Sequence, residues 1–219
     1  MSELHILEEG MARLGVDSSK RRSDSAIFKL APSKYGMFVS MNCGLYLRRA
    51  SMIDKKDNSE RSTISERMQL RGCEWEVRIC NYLQAQCSID RSQAYTDCTN
   101  KDFGSILRSK LNENSAYLVH HFYQVTLNVD SSSLLSSLRE SGVTISKIIP
   151  DLFELRRENL SGPWVLTVID AKSSLRLKES HQAQVAFYVH FLTYTFAHEI
   201  EQGKMRMSEV AYVWLQPSQ

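Results

Sequence analysis

Proline and glycine are scarce in this chain, with four prolines and nine glycines in 219 residues. That excludes a collagen-like or proline-rich extended protein. Long apolar runs are missing as well. No segment approaches the roughly 20 apolar residues needed to cross a bilayer, so no membrane association is expected. The opening MSELHILEEG is acidic at once and holds no cleavable apolar stretch, so no secretion signal is expected. Charge of one sign is not in excess either: 27 basic and 25 acidic residues leave a formal +2. No global field therefore advertises a polyanionic partner, although a local basic patch is sufficient for one. Cysteine is sparse and odd in number, five in all, which does not suit a paired disulfide framework. An intracellular, reducing compartment is expected, cytoplasm or nucleus.

What is present is the composition of a globular protein, 42% apolar and 24% charged. Residues 1–32 are mixed and polar, with a basic cluster at Lys20, Arg21 and Arg22, and read as a solvated tail. Residues 33–219 read as one domain, in which 51–63 and the serine-rich 130–142 have the composition of surface loops. Residues 64–86 have helical periodicity, with Met68, Trp75, Ile79, Tyr82 and Leu83 on one face. Cys73, Cys80 and Cys87 recur every seven residues along the same segment and read as small core hydrophobes. Strands are expected at 118–129, 143–157 and 164–174, the last two forming an antiparallel hairpin through a turn with Gly162 and Pro163. A helix over 178–202, closed by Gly203, and a final strand over 209–215 follow. A helix between the third and last strands implies a crossover. The fold class is therefore α/β, a mixed central sheet flanked by helices.

Charges break this pattern in a few places. Asp170 and Lys172 are two apart at the end of the most apolar strand, so both share the side of Leu166 and Val168. Asp151 follows Pro150, which cannot donate to a sheet and marks a strand end or bulge. Across the hairpin, Asp151 and Asp170 can face each other, and two close carboxylates resist ionising unless a cation neutralises them. Lys172 supplies one positive charge and a hard divalent ion can supply the rest. On the first helix Glu74 lies on the polar arc, whereas Glu76 falls inside the apolar arc and needs a partner, a lysine or a metal ion. On the last helix His181, Gln184, Tyr188 and Phe191 form one stripe. Two or three carboxylates, a lysine and a polar helix stripe best serve metal-assisted attack of water on a phosphodiester.

These residues resemble the motifs of the PD-(D/E)XK nuclease superfamily. "PD" at 150–151, "DAK" at 170–172 and "QVAFY" at 184–188 are similar to those of the RecB-like exonuclease branch, which carries a glutamine-x-x-x-tyrosine helix. "LRGCEWEVRICNYL" at 70–83 resembles that family's first core helix. The resemblance implies a restriction-endonuclease-like core and Mg²⁺ or Mn²⁺ held by Asp151, Asp170 and Glu76, with Lys172 catalytic beside Asp151 and Asp170. Gln184 and Tyr188 would contact nucleic acid or brace the site, and His181 would be peripheral to them. Many relatives bind an iron–sulfur cluster through one cysteine before the core and three after it. Here Cys43 stands where the first would be and no cysteine follows Cys98, so either the protein lacks the cluster or the chain is a fragment that stops short of it, and for this chain no cluster is expected. The expected activity is metal-dependent hydrolysis of DNA from ends or single strands, in repair, recombination or replication, with a helicase as a possible partner. The alternative is a catalytically inactive nucleic-acid-binding or assembly module that keeps the fold. Arg48, Arg49, Arg156 and Arg157 are scattered candidates for contacts with the nucleic acid.

Overall fold

A computed structural model describes residues 28–33, 63–99, 101–113, 116–127, 143–145 and 148–217. The basic cluster at 20–22, Cys43, Arg48, Arg49 and nearly all of the two expected surface loops lie outside them. Among the described residues no helix is long and apolar enough to cross a membrane.

The elements are β1 (Phe28–Leu30), α1 (Thr63–Ile89), β2 (Gln93–Asp97), α2 (Phe103–Asn112), β3 (Val119–Tyr123) and β4 (Val143–Ile145). Then follow β5 (Leu152–Arg156), β6 (Trp164–Lys172), α3 (Glu179–Thr195), α4 (Ala197–Glu201), β7 (Met205–Met207) and β8 (Tyr212–Leu215). The main sheet runs β2-β3-β5-β6, and both β7 and β8 lie along the remaining edge of β6. β2 is parallel to β3, β3 and β6 are each antiparallel to β5, and β7 and β8 are parallel to β6. The sheet is thus mixed, with α3 in the β6–β8 crossover.

β6 is the centre of the molecule because its side chains are buried on both faces. Leu166 and Val168 pack with Val185, Tyr188, Phe191 and Leu192 of α3, in a core that also holds Phe103, Phe122 and Phe153. Ile169 points the other way, to Ile79 and Leu83 of α1 and Leu152 of β5, with Trp75 and Trp214 packed against that cluster. Burying each such side chain contributes about 1.5–3 kcal/mol. The two cores clamp β6 between α1 and α3.

Several expectations need correction. The segment 143–157 is two strands: Val143–Ile145 pairs in parallel with β1, and only Leu152–Arg156 joins the main sheet. Pro150, lacking an N–H, lies in the break. β1 itself falls inside the stretch read as a tail. The strand expected to reach residue 129 ends at Tyr123, where Gln124 turns into the left-handed region at φ +48°. The last helix divides at Phe196 into α3 and α4, and Gly203, at φ +67°, terminates α4 by donating to Ile200 O at 2.9 Å. Among the described side chains of α1, from residue 66 on, only Ile79, Cys80 and Leu83 are buried, while Met68 and Tyr82 on the expected apolar face are exposed. Cys73 is likewise exposed and Cys87 half-buried, because the buried stripe of α1 is short. α2 and β2 have no counterpart in the sequence expectations. α2 is capped by Asp102, whose Oδ2 accepts from Ser105 N at 3.0 Å, and is tied to α4 by Arg108 Nε donating to Glu199 Oε1 at 2.7 Å.

Candidate active site

The β5–β6 register pairs Leu152 with Ile169, so Asp151 falls beside Asp170 one step beyond the ladder. Asp151 then takes the place of a backbone acceptor: its Oδ2 accepts from the Ala171 N–H at 2.8 Å. One carboxylate oxygen is thereby pinned to β6, between Asp170 and Lys172. On the other side of β6 the ladder to β8 continues past the tip, with Gln216 N donating to Lys172 O at 3.0 Å. The strand that carries Asp170 and Lys172 is therefore held along both edges.

Asp170 is 1% exposed and shares the α3 side of the sheet with Leu166 and Val168, as strand alternation requires. Lys172 Nζ lies 2.6 Å from Asp170 Oδ2. That contact lacks hydrogen-bond alignment, and neither Asp170 oxygen has a hydrogen-bond partner among the described residues. Its one countercharge is the Lys172 ammonium, and a buried carboxylate that accepts no aligned hydrogen bond is left under-satisfied, a need that a further cation can meet. Burial, then the charge of Asp170, raises the Asp151 carboxyl to about 8; Lys172 and the Ala171 N–H oppose that rise, and Glu76 adds to it. The Asp151 carboxyl thus resists ionising at this position, and a bound divalent ion would oppose that resistance.

Glu76 arrives from α1 on the opposite face. It lines a small cleft with Ile79, Tyr123, Asp151, Leu152, Ile169, Ala171 and Trp214, whose free space of about 10 Å³ is that of one water. Its partners are neutral donors rather than a lysine: Tyr123 Oη at 3.4 Å and Gln124 Nε2 at 3.3 Å both donate to Oε2. Among the described residues no group of three or more His, Cys, Asp or Glu side chains is placed to hold one ion. Glu76 therefore shares the cleft with Asp151 but does not close a three-carboxylate cage with Asp151 and Asp170. Mg²⁺ does not require such a cage, since it keeps several waters and uses one or two carboxylates plus substrate phosphate. Asp151 and Asp170 fit that donor set.

The α3 residues stand behind the acids. Gln184 Nε2 donates to Tyr188 Oη at 2.7 Å, and Tyr188 is 3% exposed. Burial and then the charges of Asp170 and Asp151 push its hydroxyl upward, opposed by the Gln184 bond. Of the two roles open to this pair, bracing fits Tyr188 and strand contact does not. His181 is also buried, its Nδ1 accepting from the Lys178 N–H at 3.3 Å, so the ring proton sits on Nε2. Burial, then Lys172 and Lys178, keep this imidazole below its usual range, against the pull of Asp170.

Gln124 was not anticipated. Its side chain holds Glu76 and Tyr123 Oη, the latter at 3.1 Å, while its backbone N–H donates to Asp151 O at 2.8 Å. Nothing in the sequence signals it, because a glutamine with positive φ has no local signature. Arg157 is the opposite case. Its guanidinium lies 4.3 Å over the Trp164 ring and donates to Leu160 O and Tyr117 O, so it is a structural residue rather than a surface phosphate contact. Arg156 is exposed and paired with Glu154 at 2.9 Å.

Comparison of the chain with family models, curated proteins and solved structures finds no match.

Proposed function

We propose that the protein is a divalent-cation-dependent nuclease built on a restriction-endonuclease-like core, of the RecB-like PD-(D/E)XK type, hydrolysing phosphodiester bonds of DNA at ends or in single strands. The observation that carries this reading is the buried Asp170, ion-paired to Lys172 and set beside Asp151, at the tip of a strand held along both edges. Asp151 and Asp170 would hold Mg²⁺ or Mn²⁺, which when bound would neutralise charge developing on the phosphate oxygens. Lys172, 22% exposed at its side chain, is the cation nearest the acids and the group able to orient a water or stabilise the phosphate. Tyr188, held by Gln184, packs in the core that backs β6 from α3, and Gln124, just after β3, donates to Glu76 in the cleft. Work alongside a helicase in repair, recombination or replication belongs to the same reading.

The test is incubation of labelled single- and double-stranded DNA with the protein in Mn²⁺ or in EDTA. Wild type is expected to shorten DNA in Mn²⁺ only, and Lys172→Ala to lose about 10²–10³-fold in rate. Intact DNA with wild type in Mn²⁺, bound but uncut, would instead support the inactive binding module. Cleavage undiminished in Lys172→Ala removes Lys172 from the chemistry.

A further inference from the structure

A second concavity adjoins the acid cleft. It lies between α1 and β8, holds about 660 Å³, and is lined by Trp75, Arg78, Ile79, Tyr82, Val213, Trp214 and Leu215. The α1 contributors are spaced i, i+3, i+4 and i+7, a single helical stripe. Of that stripe only Ile79 is buried; Tyr82 is 59% exposed and Arg78 is exposed. Of the aromatic side chains on the face read as a core stripe, Trp75 is half-buried against the Ile79 cluster and Tyr82 is left open at a groove. Its volume is within the roughly 300–1,000 Å³ of small-molecule sites.

We infer that this groove stacks unpaired nucleobases of single-stranded DNA and so holds the strand beside the acids. The inference deepens the nuclease reading and rests on it for direction. Three features favour this occupant. The groove adjoins the cleft that contains Glu76 and Asp151, the two sharing Ile79 and Trp214 as a common wall, so a strand in the groove lies beside the acids. Trp75 Nε1 donates to Trp214 O at 3.3 Å, which ties the indole of α1 to β8 and fixes its orientation. The lining contains three aromatic rings, one cation and no carboxylate, the combination that binds bases by stacking and a phosphate by charge. A duplex keeps its bases stacked within itself, so an aromatic platform selects unpaired ones.

The experiment measures anisotropy of a labelled oligothymidylate and of an abasic phosphodeoxyribose strand of equal length, both in EDTA so that nothing is cut. Wild type is expected to prefer oligothymidylate. Tyr82→Ala should weaken that binding about tenfold and leave the abasic strand unchanged, while Tyr82→Phe retains the preference. Because Tyr82 is exposed, its loss does not threaten folding, and a thermal melt checks this. Equal affinity of wild type for the two strands, binding of neither, or equal losses on both in Tyr82→Ala overturns the groove's role. The first two results are also those expected if another part of this chain covers the groove. The failures are separable: base-dependent binding without hydrolysis in Mn²⁺ sinks the nuclease reading and spares the groove, and hydrolysis without base dependence does the reverse.

Discussion

Gln124 carries the clearest sign of function at the scale of one residue. A non-glycine side chain at φ +48° costs on the order of 1–3 kcal/mol, and such strain persists only where surrounding contacts demand it. Here those contacts are Glu76, Tyr123 and the Asp151 carbonyl. Gln124→Gly is expected to be about 1 kcal/mol more stable than Gln124→Ala in urea unfolding, since both lose the amide and only glycine adopts this backbone freely. Both variants should slow DNA hydrolysis, because both lose the amide that donates to Glu76. A Gln124→Gly protein no more stable than Gln124→Ala would show that the turn is not strained. Asp170 and Lys172 were legible from the sequence because strand alternation places any i, i+2 pair on one side. Gln124 was not, because its role depends on which strand end meets α1.

Among the elements, β3 poses a cost that the rest of the fold must offset. Its VHHFY sequence is buried at Val119, His120, His121 and Phe122. Neither His120 ring nitrogen has a partner among the described residues; the ring is packed among Tyr117, Phe122 and Trp164. Burial first, then Lys110, Arg157 and His121, lower its pKa from 6.5 to about 4, with Glu113 opposing. The unfolded chain therefore binds more protons between these values. Stability is full above pH 6.5 and is lost as pH falls toward 4, by about 3 kcal/mol for this one group. His120→Phe should flatten that acid limb in melts taken from pH 7 to 4, and an unchanged limb would assign the loss to other groups. Elements differ in legibility for similar physical reasons. WVLTVIDAK reads plainly as a strand because both its faces are buried, whereas QAYTD of β2 is a polar, half-buried edge with no period to detect. α2 did leave a trace, an Asp102 cap followed by Phe103, Ile106 and Leu107 at helical spacing, too short to stand out.

For the whole molecule, one order of events organises the chain: two cores clamp β6, β8 and the Asp151 side chain extend its edges, and the tip so fixed holds Asp170 and Lys172. The mixed sheet and the hairpin followed from the sequence because turn chemistry and a crossover are local. The open groove between α1 and β8 did not, because the helix stripe looks the same whether it is covered or exposed. The central claim is that Asp151 and Asp170 together form a divalent-cation site. Calorimetric titration of the metal-free protein with Mn²⁺ tests it without DNA. Wild type should bind Mn²⁺ saturably, and Asp151→Asn and Asp170→Asn should each weaken binding by at least about tenfold while remaining folded. Undiminished Mn²⁺ binding in both variants, or none in wild type, would contradict it.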